Sequence, residues 1–194
     1  GDDKMRAQAE RFGFGSRPLP DLNAVASQYP ANPNRPETAL TGIGQGDVAS
    51  TPLQMAMVTA AIANGGQLYD PYVVARVRSS NLSVINTTTP RLRSTPMSRS
   101  NANSLANMMV SVVQSGTGTN AQISGHTVGG KTGTAQSAPN RPPYAWFTSY
   151  ALDSAGQPAV AVAVFVESAD IPRSEIGGNR VAAPIARDVM EAVL

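Results

Sequence analysis

The stretch Gly129-Gly130-Lys131-Thr132-Gly133-Thr134-Ala135-Gln136 is predicted to be the strand on which the fold and its chemistry depend. Side chains alternate between the two faces of a strand, so Thr132 and Thr134 share one face while Lys131 and Gly133 share the other. The small glycine lets a substrate backbone approach both hydroxyls, and Lys131 offers a positive charge to a carboxylate or a hydroxyl. The backbone N–H of Thr134 is a candidate oxyanion donor. From these residues alone the strand is either the wall of a site that binds a substrate and stabilises an oxyanion, or an ordinary exposed strand with Thr and Lys facing water.

Two more strands are predicted to complete an antiparallel sheet. Residues 144–151 and 159–167 are rich in aromatic and β-branched side chains, and a turn over residues 153–158 joins them. A proline-rich loop over residues 137–143 connects the first two strands, and connections this short favour antiparallel pairing. Residues 160–166 are apolar on both faces, so the third strand needs cover on both sides. Together with the helices, this pattern predicts an α+β fold in which an antiparallel sheet is flanked by helices.

The helix with the most complete set of local signals begins at Thr51. Thr51 is the predicted N-cap, Pro52 takes the first helical position, and Gln54 stands where it would complete a capping box. The pair Gly65-Gly66 ends the run. The residues predicted to face the core recur at helical spacing and are Leu53, Met57, Ala60 and Ala61.

Three other helices are predicted from the same kinds of signal. The first covers about residues 2–11 and stops at Gly13, the second runs from Ser98 or Ser100 to Gly116, and the last covers about residues 179–193. The predicted core-facing residues of the second of these helices are Leu105, Met108, Met109, Val112 and Val113, and those of the last are Val181, Ile185, Val189 and Val193.

The remaining segments are predicted to be peripheral. Residues 16–40 contain five prolines and are expected to form a surface loop. The glycine-rich residues 42–46 favour a tight turn over a phosphate cradle, because no strand precedes them and Asp47 would place a carboxylate beside the phosphate. Residues 67–89 suggest one or two edge strands joined near Ser79-Ser80-Asn81.

The composition describes a lightly charged globular chain and excludes several classes of protein. Of the 194 residues, 41% are hydrophobic and 14% are charged, and the formal net charge is +2. A charge this small and dispersed does not predict a nucleic-acid partner. With no cysteine and one histidine, neither a disulfide framework nor a metal site is expected. No apolar run reaches the roughly 20 residues of a membrane span and no signal peptide is visible, so we expect these residues to belong to a longer protein.

Eight motifs, in order along the chain, carry a resemblance to one enzyme family. They are Arg11-Phe12-Gly13-Phe14-Gly15, Gly42-Ile43-Gly44-Gln45-Gly46, Thr51-Pro52-Leu53-Gln54-Met55-Ala56, Ala63-Asn64-Gly65-Gly66, Gly116-Thr117-Gly118-Thr119, Gly129 to Gln136, Ala145-Trp146-Phe147 and Ala183-Pro184-Ile185. The sequence resembles the C-terminal half of the transpeptidase domain of class B penicillin-binding proteins, and within them the actinobacterial penicillin-binding protein A group. Lys-Thr-Gly is one of the signature motifs of penicillin-recognising serine enzymes. The resemblance implies that residues 1–194 are the C-terminal portion of a single domain with the penicillin-binding-protein/serine β-lactamase-like fold.

The resemblance also implies an activity, which is peptidoglycan cross-linking by serine acyl transfer on D-Ala-D-Ala stem peptides, inhibited by penicillin. Lys131, Thr132, Gly133 and Thr134 would bind the substrate, with Lys131 and Thr134 catalytic and the threonine hydroxyls holding the terminal carboxylate of a stem peptide or a β-lactam. Trp146 would pack in the next strand. No metal or cofactor is implied. The implied partners are the N-terminal remainder of the domain and a membrane glycan polymerase, at the extracytoplasmic face of the cell membrane.

The nucleophile motif of the family is absent from this sequence. Ser-x-x-Lys needs a serine three residues before a lysine, but Val128 precedes Lys131 and Gly1 precedes Lys4. Ser79-Ser80-Asn81 fits the family's Ser-x-Asn motif as a string, yet the family places that motif earlier in the domain, so we expect a coincidental match in a surface hairpin. Spacing alone leaves open a Ser-His-Asp triad that uses His126. These residues by themselves are predicted to be inactive.

Alternatives and one structural expectation follow from this partial match. The parent protein could be a D,D-carboxypeptidase or a β-lactamase-like hydrolase, or a non-catalytic module that binds β-lactams or stem peptides. The family's sheet includes two strands from the N-terminal side, one of which pairs with residues 159–167. Without them that strand edge would be bare, so we predict that these residues are either held by the rest of the domain or self-associate.

Overall fold

The computed structural model describes residues 1–136 and 141–194, apart from the side chain of Asp21. The α-helices are α1 (Asp2–Arg11), α2 (Arg35–Thr41), α3 (Pro52–Ala63), α4 (Arg99–Ser115) and α5 (Ala183–Glu191). The strands are β1 (Leu68–Tyr69), β2 (Arg76–Arg78), β3 (Val84–Thr87), β4 (Leu92–Ser94), β5 (Val128–Ala135), β6 (Tyr144–Leu152) and β7 (Pro158–Val166). A π-helical turn, Gly178–Ala182, leads directly into α5.

The central sheet confirms the three strands predicted from the sequence. Its order is β5-β6-β7, and both pairs are antiparallel. The register places Gly133 opposite Trp146, and Trp146 in turn opposite Phe165. In the connection between β5 and β6, residues 137–140 of the predicted loop lie outside the described residues.

Helices cover both faces of this sheet, as the α+β prediction requires. On one face, α5 and the π-helical turn pack against β6, where Phe147 is fully buried in a cluster that includes Ala186 and Met190. On the other face, α3 contacts β6 and β7, and the Thr148 hydroxyl donates to the Met55 carbonyl at 3.3 Å. The apolar strand β7 is therefore covered on both sides, while its outer edge has no partner strand in the part of the chain that the structure describes.

The start of α3 is capped as predicted, but the capping box is not completed. The Thr51 hydroxyl accepts from the Gln54 N–H at 3.1 Å, and loss of this cap should cost about 1 kcal/mol. The prediction that the Gln54 side chain returns the bond is wrong. That side chain is 1% exposed, and its Nε2 donates to the Phe12 carbonyl at 2.7 Å, which ties α3 to the turn after α1. The Phe12 carbonyl needs a hydrogen-bond donor, so the Gln54 side chain bonds to it and does not complete the capping box.

The predicted core-facing stripes of α4 and α5 are partly wrong. In α4, Met109 and Val113 are buried, but Met108 is 62% exposed. In α5, Ile185 and Val189 are 46% and 45% exposed. The buried residues of these two helices are Ala102, Met109, Val113, Ala183, Ala186 and Met190. Alanines let a helix axis approach the sheet, so small side chains define the buried face and larger ones remain outside.

The peripheral segments match the predictions except for one helix. Residues 16–34 are irregular apart from a 3-10 helical turn at Pro20–Leu22, and α2 follows them. Helix α2 was not predicted from the sequence because of the prolines, but Pro36 sits in its first turn, where proline is tolerated, and Asn34 and Glu37 form a capping box. The predicted turn over residues 42–46 is confirmed, with Gly44 and Gly46 in the left-handed region at φ of 74° and 75°. The strands β2 and β3 form the expected surface hairpin. Within the described ranges, no helix has the length and apolar character of a membrane span.

Candidate active site

Strand β5 has two glycines directly after Val128 because aromatic rings of β6 lie against it. A Cβ on Gly129 would come within 2.4 Å of the Tyr150 ring, and one on Gly130 would come within 2.5 Å of the Phe147 ring. The two rings lie on opposite faces of the sheet, since successive residues of a strand point to opposite sides. Any larger residue at either position would push β5 away from β6. The paired glycines therefore allow β5, which carries Lys131 to Thr134, to lie close against β6.

The outer edge of β5 has no partner strand among the described residues. The Thr132 carbonyl accepts from the Lys131 Nζ at 2.8 Å, and the Thr134 carbonyl accepts from the Gln45 Nε2 at 3.5 Å. Neither donor belongs to β6, so these carbonyls point to the free edge. In an antiparallel ladder, a residue turns its N–H and its C=O to the same edge. The Thr134 N–H therefore points to the same edge, where an oxyanion donor is needed.

The side chains of the predicted site occupy both faces of β5. Lys131 and Thr134 are exposed, whereas Thr132 and Gly133 are half-buried. A Cβ on Gly133 would lie 3.0 Å from the Cβ of Trp146, which explains the glycine between the two threonines. Trp146 packs against Phe165 with ring centroids 4.8 Å apart, so it supports the sheet, as the sequence predicted.

Two segments distant in sequence join this site, and the sequence analysis gave neither a role. The turn after α4 places the Thr117 hydroxyl 2.9 Å from the Thr132 hydroxyl. The turn after α2 brings Gln45 to Thr134 across 89 positions of sequence. Both residues lie in glycine-rich motifs that carried the family resemblance, Gly116-Thr117-Gly118-Thr119 and Gly42-Ile43-Gly44-Gln45-Gly46. Their place in family motifs was the one signal available in the sequence, because spacing along the chain does not predict that the two segments meet.

The π-helical turn closes one side of the site. A Cβ on Gly178 would lie 2.3 Å from the Trp146 carbonyl and 3.0 Å from the Thr132 Cβ, so backbone passes directly over β5 and β6. The next residue, Asn179, accepts from the Asn120 N–H at 3.0 Å, and its own carbonyl accepts from the Asn120 side chain at 3.1 Å. These bonds fasten the segment after Thr117 to the turn over Thr132.

The other candidate residues lie away from this site. His126 contacts the Leu152 carbonyl at 3.2 Å, at the end of the sheet where β5 begins. Val128 and Thr134 are separated by six residues of strand, roughly 20 Å, so the geometry does not support a triad of His126 with this site. Ser79 and Asn81 bond to each other at 2.5 Å in the turn between β2 and β3, which confirms a surface hairpin. No group of metal-ligating side chains occurs within residues 1–136 and 141–194.

Comparison with known proteins gives the family. The penicillin binding protein transpeptidase domain matches residues 1–191. The chain belongs to the penicillin-binding-protein transpeptidase family. This confirms the resemblance seen in the Lys131 to Thr134 motif and its neighbours, and the fold of the family agrees with the sheet and helices described above.

Relatives of this transpeptidase-family chain include the peptidoglycan D,D-transpeptidase PbpA of Mycolicibacterium smegmatis, 39% identical over the whole chain and 40% of the relative. Stage V sporulation protein D of Bacillus subtilis is 32% identical over 98% of the chain and 30% of the relative. The chain thus spans less than half the length of these proteins.

Solved structures agree with this placement. Penicillin-binding protein A from Mycobacterium tuberculosis, as its penicillin G acyl-enzyme complex, has a TM-score of 0.85 and 37% identity, covering 99% of this chain and 43% of that one. Its imipenem acyl-enzyme complex has a TM-score of 0.84 at the same identity, covering 98% and 41%. The folds therefore coincide over almost the whole length of this chain.

Proposed function

We propose that this chain is the substrate-holding part of a peptidoglycan D,D-transpeptidase. The observation that carries the proposal is the free edge of β5, where the Thr134 N–H, the Thr132 hydroxyl and the Lys131 ammonium are available together on a strand with no outer partner among the described residues. A backbone-like ligand can lie along such an edge as an added strand. The mycobacterial relatives are named D,D-transpeptidases, and related structures are acyl-enzyme complexes with β-lactams.

Each residue has a distinct role in this proposal. Thr132 and Thr134 donate hydroxyl hydrogen bonds to the terminal carboxylate of a D-Ala-D-Ala stem peptide or of a β-lactam. The Thr134 N–H stabilises the oxyanion that forms when a serine hydroxyl attacks the scissile carbonyl. Lys131 supplies fixed positive charge beside the reacting groups. Gly133 has no side chain and lets the ligand lie close to the strand. The serine that forms the covalent ester lies outside this sequence, so residues 1–194 alone are inactive.

The parent protein would carry the rest of the machinery. Residues 1–194 form the C-terminal portion of one transpeptidase domain, and the N-terminal remainder completes the sheet and supplies Ser-x-x-Lys. The parent would be anchored in the cell membrane with this domain on the extracytoplasmic face, beside a membrane glycan polymerase. The lengths of the relatives support a longer parent, because the chain covers 40% of PbpA.

Two other activities remain as alternatives. A D,D-carboxypeptidase or β-lactamase-like hydrolase would pass the same acyl group to water, and a non-catalytic module would bind β-lactam or stem peptide without forming an ester. The family's transpeptidase members favour cross-linking over both. A stem-peptide donor incubated with and without an acceptor amine separates transfer from hydrolysis by the products formed.

The deciding experiment is intact mass spectrometry after incubation with penicillin G. We expect the full-length protein to gain the mass of one penicillin and the isolated residues 1–194 to gain none. An adduct on the isolated chain would contradict the external nucleophile and require a serine within this sequence. No adduct on either protein would overturn the transpeptidase proposal in favour of the binding module.

A further inference from the structure

The turn after α4 supplies a hydroxyl that faces the proposed carboxylate site. Thr117 Oγ1 lies 2.9 Å from Thr132 Oγ1, a full hydrogen bond between two threonines fifteen positions apart. Thr117 is exposed, and among the described residues it has no other side-chain hydrogen bond. An exposed threonine hydroxyl normally bonds to water or to its own backbone. This one instead points at the threonine that is proposed to bind the ligand.

The position of Thr117 is set by packing on both sides of it in sequence. Its neighbour Gly118 is buried, and a Cβ there would lie 3.1 Å from the Phe147 ring, so the chain is held against β6 at this point. Two residues further on, Asn120 is bonded twice to Asn179. The Thr117 hydroxyl is therefore presented by a turn fixed to the same two elements that enclose Thr132.

A threonine hydroxyl has one proton, and this limits what Thr132 can do alone. To donate that proton to a carboxylate, Thr132 must turn its O–H towards the free edge of β5 and leave its lone pairs to accept from another donor. The Thr117 O–H, at 2.9 Å, is in place to be that donor. Hydrogen bonds in such a chain strengthen each other, and the last one, to a charged carboxylate, gains most.

We propose that Thr117 is a positioning residue for ligand binding: its O–H donates to Thr132 Oγ1, so that the single proton of Thr132 points to the carboxylate of the stem peptide or β-lactam. The inference rests on the proposed function, in which Thr132 binds that carboxylate. It adds a role for Thr117, and a direction of hydrogen bonding, to the roles proposed for the residues of β5.

The test measures acylation of the full-length protein by two ligands. Penicillin G presents the free carboxylate, and its methyl ester has the same ring and side chain without the anion. The variants are Thr117→Val, which keeps the shape and removes the hydroxyl, Thr117→Ser, which restores the hydroxyl, and Thr132→Val alone and combined with Thr117→Val. Thr87→Val in the exposed strand β3 is the control for removal of a hydroxyl remote from β5.

We expect Thr117→Val to slow acylation by the free acid about tenfold, because tenfold corresponds to about 1.4 kcal/mol, near the upper end for the loss of one neutral hydrogen bond. Acylation by the ester should change little. Thr117→Ser should restore the wild-type rate, and Thr117→Val should add no further loss in the Thr132→Val background. Circular dichroism and melting of each variant check that the fold is kept.

Different results overturn different claims. If the wild type acylates but Thr117→Val is as fast as wild type with penicillin G, or slows both ligands equally, the positioning role is wrong while the proposed function stands. A failure of Thr117→Ser to restore the rate leads to the same conclusion. If the wild type forms no adduct with either ligand, the proposed function fails and the inference fails with it.

Discussion

At the scale of single residues, Lys131 carries the charge on which the proposed site depends. Its Nζ lies 2.8 Å from the Thr132 carbonyl at the free edge of β5, and its side chain is exposed. In the full-length protein we expect Lys131→Gln to lower the rate of acylation by a fluorescent penicillin about 100-fold or more, because a preorganised charge beside the oxyanion is lost.

A control separates the charge of Lys131 from its bulk. Lys131→Met keeps the length of the side chain without hydrogen-bonding groups, and it should be as slow as Lys131→Gln. A variant lacking the charge that acylates at the wild-type rate would show that Lys131 is only part of the surface of the strand.

Tyr150 gives the protein a predictable dependence on alkaline pH. The side chain is 2% exposed and its hydroxyl donates to the Ala106 carbonyl at 3.1 Å, and this burial raises the pKa of Tyr150 above its usual value. Because the unfolded tyrosine ionises at about pH 10, the stability contributed by the neutral buried group is present below that pH and is lost as the pH rises through the folded-state pKa.

Urea unfolding of wild type and Tyr150→Phe at pH 8 and pH 10.5 checks this. At pH 8, Tyr150→Phe should be less stable by about 1 kcal/mol, the value of its hydrogen bond. At pH 10.5 this difference in stability should shrink, because ionisation of Tyr150 in the unfolded state lowers the stability of the wild type and Phe has no such group. A difference that is the same at both pH values would contradict the raised pKa.

At the scale of secondary-structure elements, the π-helical turn before α5 depends on Gly178. A Cβ at this position would lie 2.3 Å from the Trp146 carbonyl and 3.1 Å from the Gly133 N, and both of those atoms belong to backbone that cannot move aside cheaply. We expect Gly178→Ala to lift the turn from β5 and β6, to lower the melting temperature and to slow acylation, since the strand of Lys131 to Thr134 loses its cover.

The neighbouring glycine provides a matched control for this change. A Cβ on Gly177 meets nothing within 4 Å, and its φ of −164° is extended backbone that any residue adopts. Gly177→Ala should therefore leave the melting temperature and acylation close to wild type. Equal effects of the two substitutions would show that this segment needs glycine for backbone freedom, and not for the close approach of Gly178 to β5 and β6.

At the scale of the whole molecule, the outer edge of β7 is predicted to drive association of the isolated chain. The main-chain N–H and C=O groups of Thr132 point away from β6, so Phe147, the β6 residue opposite Thr132, hydrogen-bonds to β7 instead. Phe147 pairs with Val164, so the main-chain groups of Val164 point towards β6 and those of the neighbouring Ala163 point to the outer edge. An apolar strand with a free edge pairs readily with another chain. We expect residues 1–194 alone to elute above monomer mass in size exclusion with light scattering.

Proline substitutions distinguish edge pairing from other causes of association. Ala163→Pro removes an outward N–H and should reduce association while the sheet is kept, whereas Val164→Pro breaks the β6–β7 ladder and should unfold the chain. Elution of the unmodified chain as a well-folded monomer would refute the prediction that these residues are either held by the rest of their domain or self-associate.

The local features of the fold were predictable from the sequence because they depend on residues close together in the chain. The alternation of Lys131 and Thr132 in a strand, the Thr51 cap and the turn between β6 and β7 each follow from two to four neighbouring residues. The family motifs were equally local, so the strand proposed to hold the substrate could be recognised before any contact was known.

The tertiary structure alone decided which residues meet at that strand. The hydroxyl of Thr117, the amide of Gln45 and the backbone of Gly178 reach β5 from three separate parts of the sequence, and no periodicity predicts such contacts. The buried face of α5 was decided in the same way, because close packing on the sheet selected Ala186 and left Ile185 exposed. Local chemistry therefore determined the elements and the motif, whereas long-range packing determined the assembled site.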